Sequence, residues 1–335
     1  MVTLKDIAKE CNVSFSTVSK ALKGDSEISI ETQKLVQNMA KKMGYHPNLA
    51  ARTLRTKRTF DIGVIFEDKT GAGFQHQYFA TILSGLQSVA QAKGYEITLT
   101  STKPVKGYDY YNHMKGRGFD GVAILSCDFN SAEIKKLIKS EIPTVSLDFF
   151  YDKNHTAVMS NNEVGISELT EYVISKGHKK IAFIHGENTL VTQERIESFK
   201  KACQAHGITI PEDYFAEALY NDPFTSAEAT NILLSLPDAP TCIFYPDDYS
   251  ALGGIRELNA RGLHPGQDIS IVGYDGIMLT SMMIPPLTTY EQNGKKIGAT
   301  IAENLIANIE QGENYAPKCE LVSGRILKGD TVNIL

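Results

Sequence analysis

The chain is short of the features that mark most enzymes, metalloproteins and membrane proteins. Its five cysteines (Cys11, Cys127, Cys203, Cys242, Cys319) are widely scattered. No CxxC spacing or Cys/His cluster suggests zinc, and an odd, unpatterned count fits a reducing compartment. No stretch approaches 18 apolar residues, which argues against a membrane-spanning helix. The N-terminus has no apolar run of signal-peptide length, so the expected location is the cytoplasm. GxSxG, HExxH and Walker motifs are missing, and the eight histidines are dispersed. Gly71-Ala72-Gly73 is followed by neither the GK[ST] of a phosphate loop nor a further GxxG, so it reads as a flexible cleft loop. No cofactor is expected.

What is present is a length of 335 residues, 42% of them hydrophobic, enough for two or three packed domains. The net charge of −5 hides an asymmetry. Residues 1–60 hold 11 Lys and Arg against 5 Asp and Glu, and the remainder 23 against 34. A basic head on an acidic body suggests that the head meets a polyanion and the body does not.

The head reads as a helix-turn-helix. Thr3 precedes a helix, with Asp6 at capping-box spacing. Leu4, Ile7 and Ala8 give it an apolar face. Cys11-Asn12-Val13 is turn-length. Ser14 caps a second helix from Phe15 to about Leu22, with Val18, Ala21 and Leu22 inward. Ser29 caps a third, from about Ile30 to Met43, which Gly44 closes. Two helices joined by a tight turn form the DNA-reading unit, whose second helix offers its N-terminal residues to the major groove. Lys20 can donate to guanine O6/N7, Ser16 can donate or accept, and Phe15 can lie on a thymine methyl. Thr17, Ser19, Thr32 and Asn48 suit phosphates. After Pro47, residues 48–55 are expected to form a short basic helix. Leu54 stands in it among cations, either as a wedge between minor-groove base steps or packed on the head or body.

The strings VTLKDIA, NVSxxTVSKAL, GYHPN and AARTLRTKRT resemble the lactose-repressor (LacI) family of bacterial transcription regulators, and the likeness extends over the whole chain. The resemblance implies a hinge helix whose Leu54 enters a palindromic operator. It implies a DNA-contacting set of Thr3, Ser14, Phe15, Ser16, Thr17, Ser19, Lys20, Thr32, Asn48, Ala51 and Leu54. Gln33 is a departure, because many members carry arginine there.

From Asp61 the pattern alternates buried strands (62–66, 96–100, 121–125, 143–147) with helices near 78–93, 108–117 and 131–140. A second series runs helix 163–176, strand 180–185, helix 193–206, strand 214–219, helix 225–235, strand 241–245, helix 248–261 and strand 269–273. A last strand is expected near 321–327. Such alternation implies parallel sheets and two lobes, with a ligand cleft beyond the strand ends. The expected class is α/β: an all-α helix-turn-helix head (1–47), a hinge (48–60) and a two-lobed body like the periplasmic binding proteins (61–335). The N-lobe is expected at about 61–158 and 291–320, the C-lobe at about 159–290 and 321–335.

By the resemblance, Phe74, Asp148, Arg195, Phe224, Asp247, Asp275 and Gln292 line the cleft. Arginine and carboxylates suit the diols of a sugar. Phe74, Phe149, Tyr220 and Phe224 either stack on a sugar face or pack in the core. Gly276 stands where a second aspartate is usual, so the effector is not readable by analogy. Asp247, Asp248 and Asp275 can also be weighed as glycosidase carboxylates, though sugar binding suits them better. The body alone would permit a sugar-binding protein without regulatory role. The combined reading is a ligand-controlled transcription regulator acting on carbohydrate genes and not an enzyme. Its expected partners are double-stranded palindromic operator DNA, a sugar-like effector and a second copy of itself. Only eight residues follow Leu327, which leads us to expect a dimer without a tetramerising tail.

Overall fold

The structure, a computed structural model, describes residues 2–22, 24–45, 53, 56–67, 73–100 and 109–335, with the backbone alone at residue 74. It divides into two units, residues 1–59 and 60–335.

The first unit is built from local signals. Thr3 and Asp6 close a full capping box on α1 (Leu4–Glu10), the Thr3 hydroxyl also donating to Asp6 Oδ2 at 2.8 Å. Each bond satisfies a donor that the first turn would leave orphaned. The Ser14 hydroxyl accepts from Thr17 N–H at 3.0 Å and starts α2 (Phe15–Leu22). Ser29 starts α3 (Ile30–Lys42) in the same way, at 3.3 Å from Thr32 N–H. Ile7, Val18, Ala21 and Val36 are fully buried where the three helices meet. Leu35, although apolar, is about half exposed and outside that core. Gln33 serves the structure of the head, since its side-chain amide donates to the carbonyls of Asp25 (2.9 Å) and Ile28 (2.8 Å) and so binds the α2–α3 loop to α3. Near the end of the unit, Lys57 N–H bonds the Thr53 carbonyl at 2.7 Å. Residues 46–52, 54 and 55 lie outside the described residues, and with them the expected hinge helix.

The second unit holds two six-stranded sheets. In chain order the elements are β1 (Asp61–Phe66), α4 (Gln77–Ala92), β2 (Glu96–Thr100), α5 (Tyr110–Arg117), β3 (Gly121–Ser126), α6 (Ala132–Ile138), β4 (Thr144–Leu147) and β5 (Thr156–Ser160). Then come α7 (Asn162–Ser175), β6 (Ile181–His185), α8 (Leu190–Ala205), β7 (Phe215–Glu217), α9 (Pro223–Leu234), β8 (Cys242–Phe244), α10 (Asp248–Ala260), β9 (Ser270–Asp275), α11 (Met278–Met282) and β10 (Thr288–Glu291). The long α12 (Gly294–Gln311), β11 (Cys319–Val322) and β12 (Arg325–Leu327) complete it. The N-lobe sheet has the order β2-β1-β3-β4-β5-β11 and is parallel throughout. The C-lobe sheet has the order β7-β6-β8-β9-β10-β12, with β12 alone antiparallel. The central strands are apolar and buried, as expected of sheets covered by helices on both faces.

The single strand expected at 321–327 is a correction. It is two strands in different sheets, β11 and β12, because the chain crosses between lobes at Ser323-Gly324. Two other crossings lie at Asn161 and at Gln292-Asn293, and both asparagines cap the helices that follow. The crossings pack closely. A Cβ on Gly324 would come within 1.8 Å of the Glu291 carbonyl, so no larger residue fits there without movement.

Candidate DNA-reading and effector sites

On α2 the side chains expected to meet DNA cluster at its N-terminal end. Ser14 Oγ lies 2.7 Å from Ser16 Oγ and 2.8 Å from Thr17 Oγ1. This gives a knot of hydroxyls around a helix start whose free N–H groups favour anions. Phe15 is 49% exposed, an aromatic ring with no place in the head core. Ser19 and Lys20 are partly exposed. Lys20 Nζ pairs with the Glu27 carboxylate, which holds the ammonium more firmly protonated than usual. Thr3 and Thr32 are committed to helix starts. Asn48, Ala51 and Leu54 lie outside the described residues.

In the body, Arg195 on α8 is the centre of a buried polar group. Its Nε donates to Asn162 Oδ1 at 2.8 Å and its Nη1 to the Pro246 carbonyl at 3.0 Å. Nη2 makes no hydrogen bond to any described residue. The guanidinium carbon lies over Tyr274, 3.9 Å from the ring centroid, with the Tyr220 ring at 6.0 Å. Burial opposes its charge, but Tyr220, Tyr274 and Asp275 outweigh burial, so it is held charged. It lines a small cavity with Thr192, Tyr220, Pro246 and Tyr274.

Two buried carboxyls from different lobes are attracted by this charge. Asp148, at the end of β4, is pushed up to about 6, mainly by burial, with the Ser160 N–H and Arg195 pulling the other way. Asp275, at the end of β9, is pushed up to about 7 by burial and then by Asp247, while Arg195 and Gln292 oppose the shift. Both sit at positive φ, 51° and 117°. Strict strand alternation therefore stops at these residues, and their carboxyls need not follow it. A hydrogen-bond chain joins them. Asp148 Oδ1 accepts from Ser160 N–H at 2.7 Å, and Ser160 Oγ donates to Gln292 Oε1. Gln292 Nε2 then donates to Asp275 Oδ1 at 2.6 Å. The chain runs from one lobe to the other through the crossing at Gln292.

Of the residues expected at the cleft, Asp148, Arg195, Asp275 and Gln292 are thus brought together. Asp247 is used locally. It caps α10 through Ser250 N–H (2.7 Å) and Ser250 Oγ (2.8 Å), and accepts from Asn221 N–H (2.7 Å). Phe224 stands apart, 69% exposed at the start of α9, with Arg256 5.8 Å from its ring. The side chain of Phe74 lies outside the described residues. Asp248, weighed as a catalytic carboxylate, is wholly buried and accepts from Ile277 N–H at 2.8 Å and Thr289 Oγ1 at 2.5 Å. Those bonds tie α10 to β10. Ser160, Asn162 and Tyr274 were missed in the sequence. Tyr274 directly precedes Asp275, which was the only available signal. Among the described residues no group of His, Cys, Asp and Glu suits a metal ion, and no helix is long and apolar enough to cross a membrane.

Comparison with known proteins matches both units. Residues 3–48 fit the model for bacterial regulatory proteins of the lacI family, and residues 170–332 a periplasmic binding protein-like domain. The chain is 33% identical to the "Probable HTH-type transcriptional repressor ExuR" of Bacillus subtilis, over 95% of each chain. It is 31% identical to the HTH-type transcriptional repressor PurR of Pasteurella multocida, over 93% of each. Among solved structures it is similar to the lac repressor dimer bound to operator and the anti-inducer ONPF (TM-score 0.79, 23% identity, 99% of each chain). It is also similar to a LacI family regulator of Enterococcus faecium with bound ribose (TM-score 0.71, 25% identity, 82% of this chain and 99% of that one). With relatives this similar over nearly its full length, and with both units matched, the chain belongs to the LacI family of bacterial transcription regulators, a helix-turn-helix DNA-binding head joined to a periplasmic-binding-protein-like body.

Proposed function

We propose that the protein is a cytoplasmic, homodimeric repressor that binds a palindromic operator, and that a small polyhydroxylated ligand, a sugar, in the interlobe cleft sets its operator affinity. The observation that carries the ligand reading is Arg195. A buried guanidinium over the Tyr274 ring, with Nη2 unbonded among the described residues and the buried carboxyls of Asp148 and Asp275 drawn toward its charge, offers donors and acceptors to one small polar molecule. Relatives of the same fold have been solved with cellobiose and with ribose, which supports the class. One head reads few base pairs, so two heads on a two-fold axis suit a palindrome.

The ligand acts by preferring one arrangement of the lobes, and the coupling to DNA is reciprocal, usually about 1–3 kcal/mol. A thermal-shift screen of the full chain against mono- and oligosaccharides tests the ligand class, since a cleft ligand raises the melting point by mass action. The active sugar should then change the gel-shift affinity for the operator. A flat screen, with a non-sugar metabolite shifting the melt, would remove the sugar reading.

A further inference from the structure

The contact between Lys20 and Glu27 bears on how the head tells its operator from other DNA. Glu27 is on the short loop between α2 and α3, and its backbone is pinned from both sides. Asp25 N–H bonds the Lys20 carbonyl at 3.2 Å, and Asp25 Oδ1 accepts from Glu27 N–H at 3.0 Å. Ile28 N–H bonds the Asp25 carbonyl at 3.1 Å, and the Gln33 amide clamps the Asp25 and Ile28 carbonyls. The loop therefore presents the carboxylate to the last turn of α2, where it meets the Lys20 ammonium. Both side chains are well exposed, 44% and 69%, so DNA can reach the pair.

We propose that Glu27 is a specificity-determining residue: it withholds Lys20 from the phosphates of non-cognate DNA and releases it to a base edge of the operator. This rests on the reading of α2 as the recognition helix. Non-specific affinity is mostly phosphate neutralisation, to which every free lysine adds. A lysine held by a carboxylate contributes little to it. Breaking the pair costs any contact that takes the lysine; one phosphate contact barely offsets that cost, whereas a guanine offering both O6 and N7 at a fixed position more than offsets it. Specificity is the difference between the two affinities, and Glu27 lowers the unwanted one more.

The test uses the full-length protein, an operator obtained by selection from random duplexes, and a scrambled duplex, with fluorescence anisotropy across a salt series. Glu27→Gln should tighten scrambled-duplex binding roughly 3–10-fold at low salt while changing operator binding no more than about 2-fold. Its log K against log salt slope on the scrambled duplex should steepen by about 0.9 for each head engaged, about 1.8 for a dimer with both heads on DNA. In a Lys20→Ala background the same substitution should leave the specificity ratio unchanged. An unaltered ratio for Glu27→Gln, or a loss that persists without Lys20, overturns the proposal. If Lys20→Ala alone leaves operator affinity intact, the recognition-helix reading falls as well, and the single variants separate the two failures.

Discussion

Replacing Asp275 with asparagine should stabilise the body at alkaline pH while removing the response to effector. The folded carboxyl is pushed up to about 7, against an ordinary value near 3.8. Its contribution to stability is complete below about pH 4 and is lost as pH rises through 7. At about 1.4 kcal/mol per pH unit of displacement, keeping this group ionised at pH 8 costs the fold about 4 kcal/mol. Asparagine has the same shape and keeps an acceptor for Gln292 Nε2, now 2.6 Å away, so that bond survives. The attraction to Arg195 is already contained in that value, and the new buried amide N–H donors must find partners, which offsets part of the gain. A net gain of about 1–3 kcal/mol remains, or roughly 3–10 °C in melting temperature for a domain of this size. At pH 5 the native carboxyl is already protonated in the fold, and the gain should shrink to roughly a third. Differential scanning calorimetry of both proteins at pH 8 and pH 5 measures this. A variant that is less stable by the same margin at both values would refute the reasoning, because Asp275 would then be a stabilising partner of Arg195. A stabilising loss of function would place Asp275 among residues kept for binding at a cost in stability.

The opposite pH dependence is expected at His155, whose ring is buried with neither nitrogen hydrogen-bonded among the described residues and is pushed down to about 4, chiefly by burial. Its contribution is present above about 6.5 and lost as pH falls through 4, so His155→Leu should remove an acid-side loss of up to about 3 kcal/mol, read from melts between pH 7 and pH 4; an unchanged acid limb would contradict this. Gln33→Ala should destabilise the head by about 1–2 kcal/mol through two lost hydrogen bonds, seen as faster amide exchange in α2 and α3 of the full chain; unaltered exchange would show that the clamp is idle. Leu54→Ala should weaken operator binding by about 1 kcal/mol or more and spare effector binding, measured by gel shift and calorimetry, if an inserted side chain kinks the site; equal operator affinity would argue for simple packing.

The head was legible because its signals are local. Thr3, Ser14 and Ser29 each start a helix within three residues of the cap, and the apolar spacing of Ile7, Val18, Ala21 and Val36 needs no distant partner. The buried strands of the first lobe were legible for a similar reason, as runs of Val, Ile and Leu between turns. What was not legible depends on distant parts of the chain. Helix α12 runs across Gly294 and Gly298, which local propensity argues against, since glycine weakens a helix by about 1 kcal/mol. Yet a Cβ at Gly298 would lie 1.9 Å from the Ile82 carbonyl, and one at Gly85 2.1 Å from the Lys295 carbonyl. Close approach to α4 is what selects glycine there. The short strands β5 (TAVMS) and β10 (TTYE) mix hydroxyl and apolar residues and read as loops until their sheets are known. In the site, Arg195 and Asp275 were visible as a charged residue in a helix and at a strand end. Ser160 and Asn162 matter only because the first interlobe crossing falls between β5 and α7.

That placement has a physical consequence for any cleft ligand. Gln292 spends its amide on Asp275 and its carbonyl on Ser160, whose own N–H is held by Asp148. A ligand hydroxyl that donates to Asp275 Oδ1 must share or displace the Gln292 amide, and the buried glutamine then needs a new partner, since leaving it bare costs about 1–3 kcal/mol. A ligand that bonds Asp148 Oδ1 competes instead with the Ser160 N–H, on the residue whose hydroxyl holds Gln292. Occupancy of either carboxylate therefore perturbs hydrogen bonds that join the lobes at a crossing, without any longer path through the core. A ligand that Gln292 can follow favours the lobe arrangement seen here. One that evicts it favours another. The sign of the effector response should then follow which partner Gln292 retains, the Asp275 acceptor or the Ser160 donor, and Gln292→Leu, which can retain neither, should uncouple effector binding from operator affinity while Arg195 still holds the ligand.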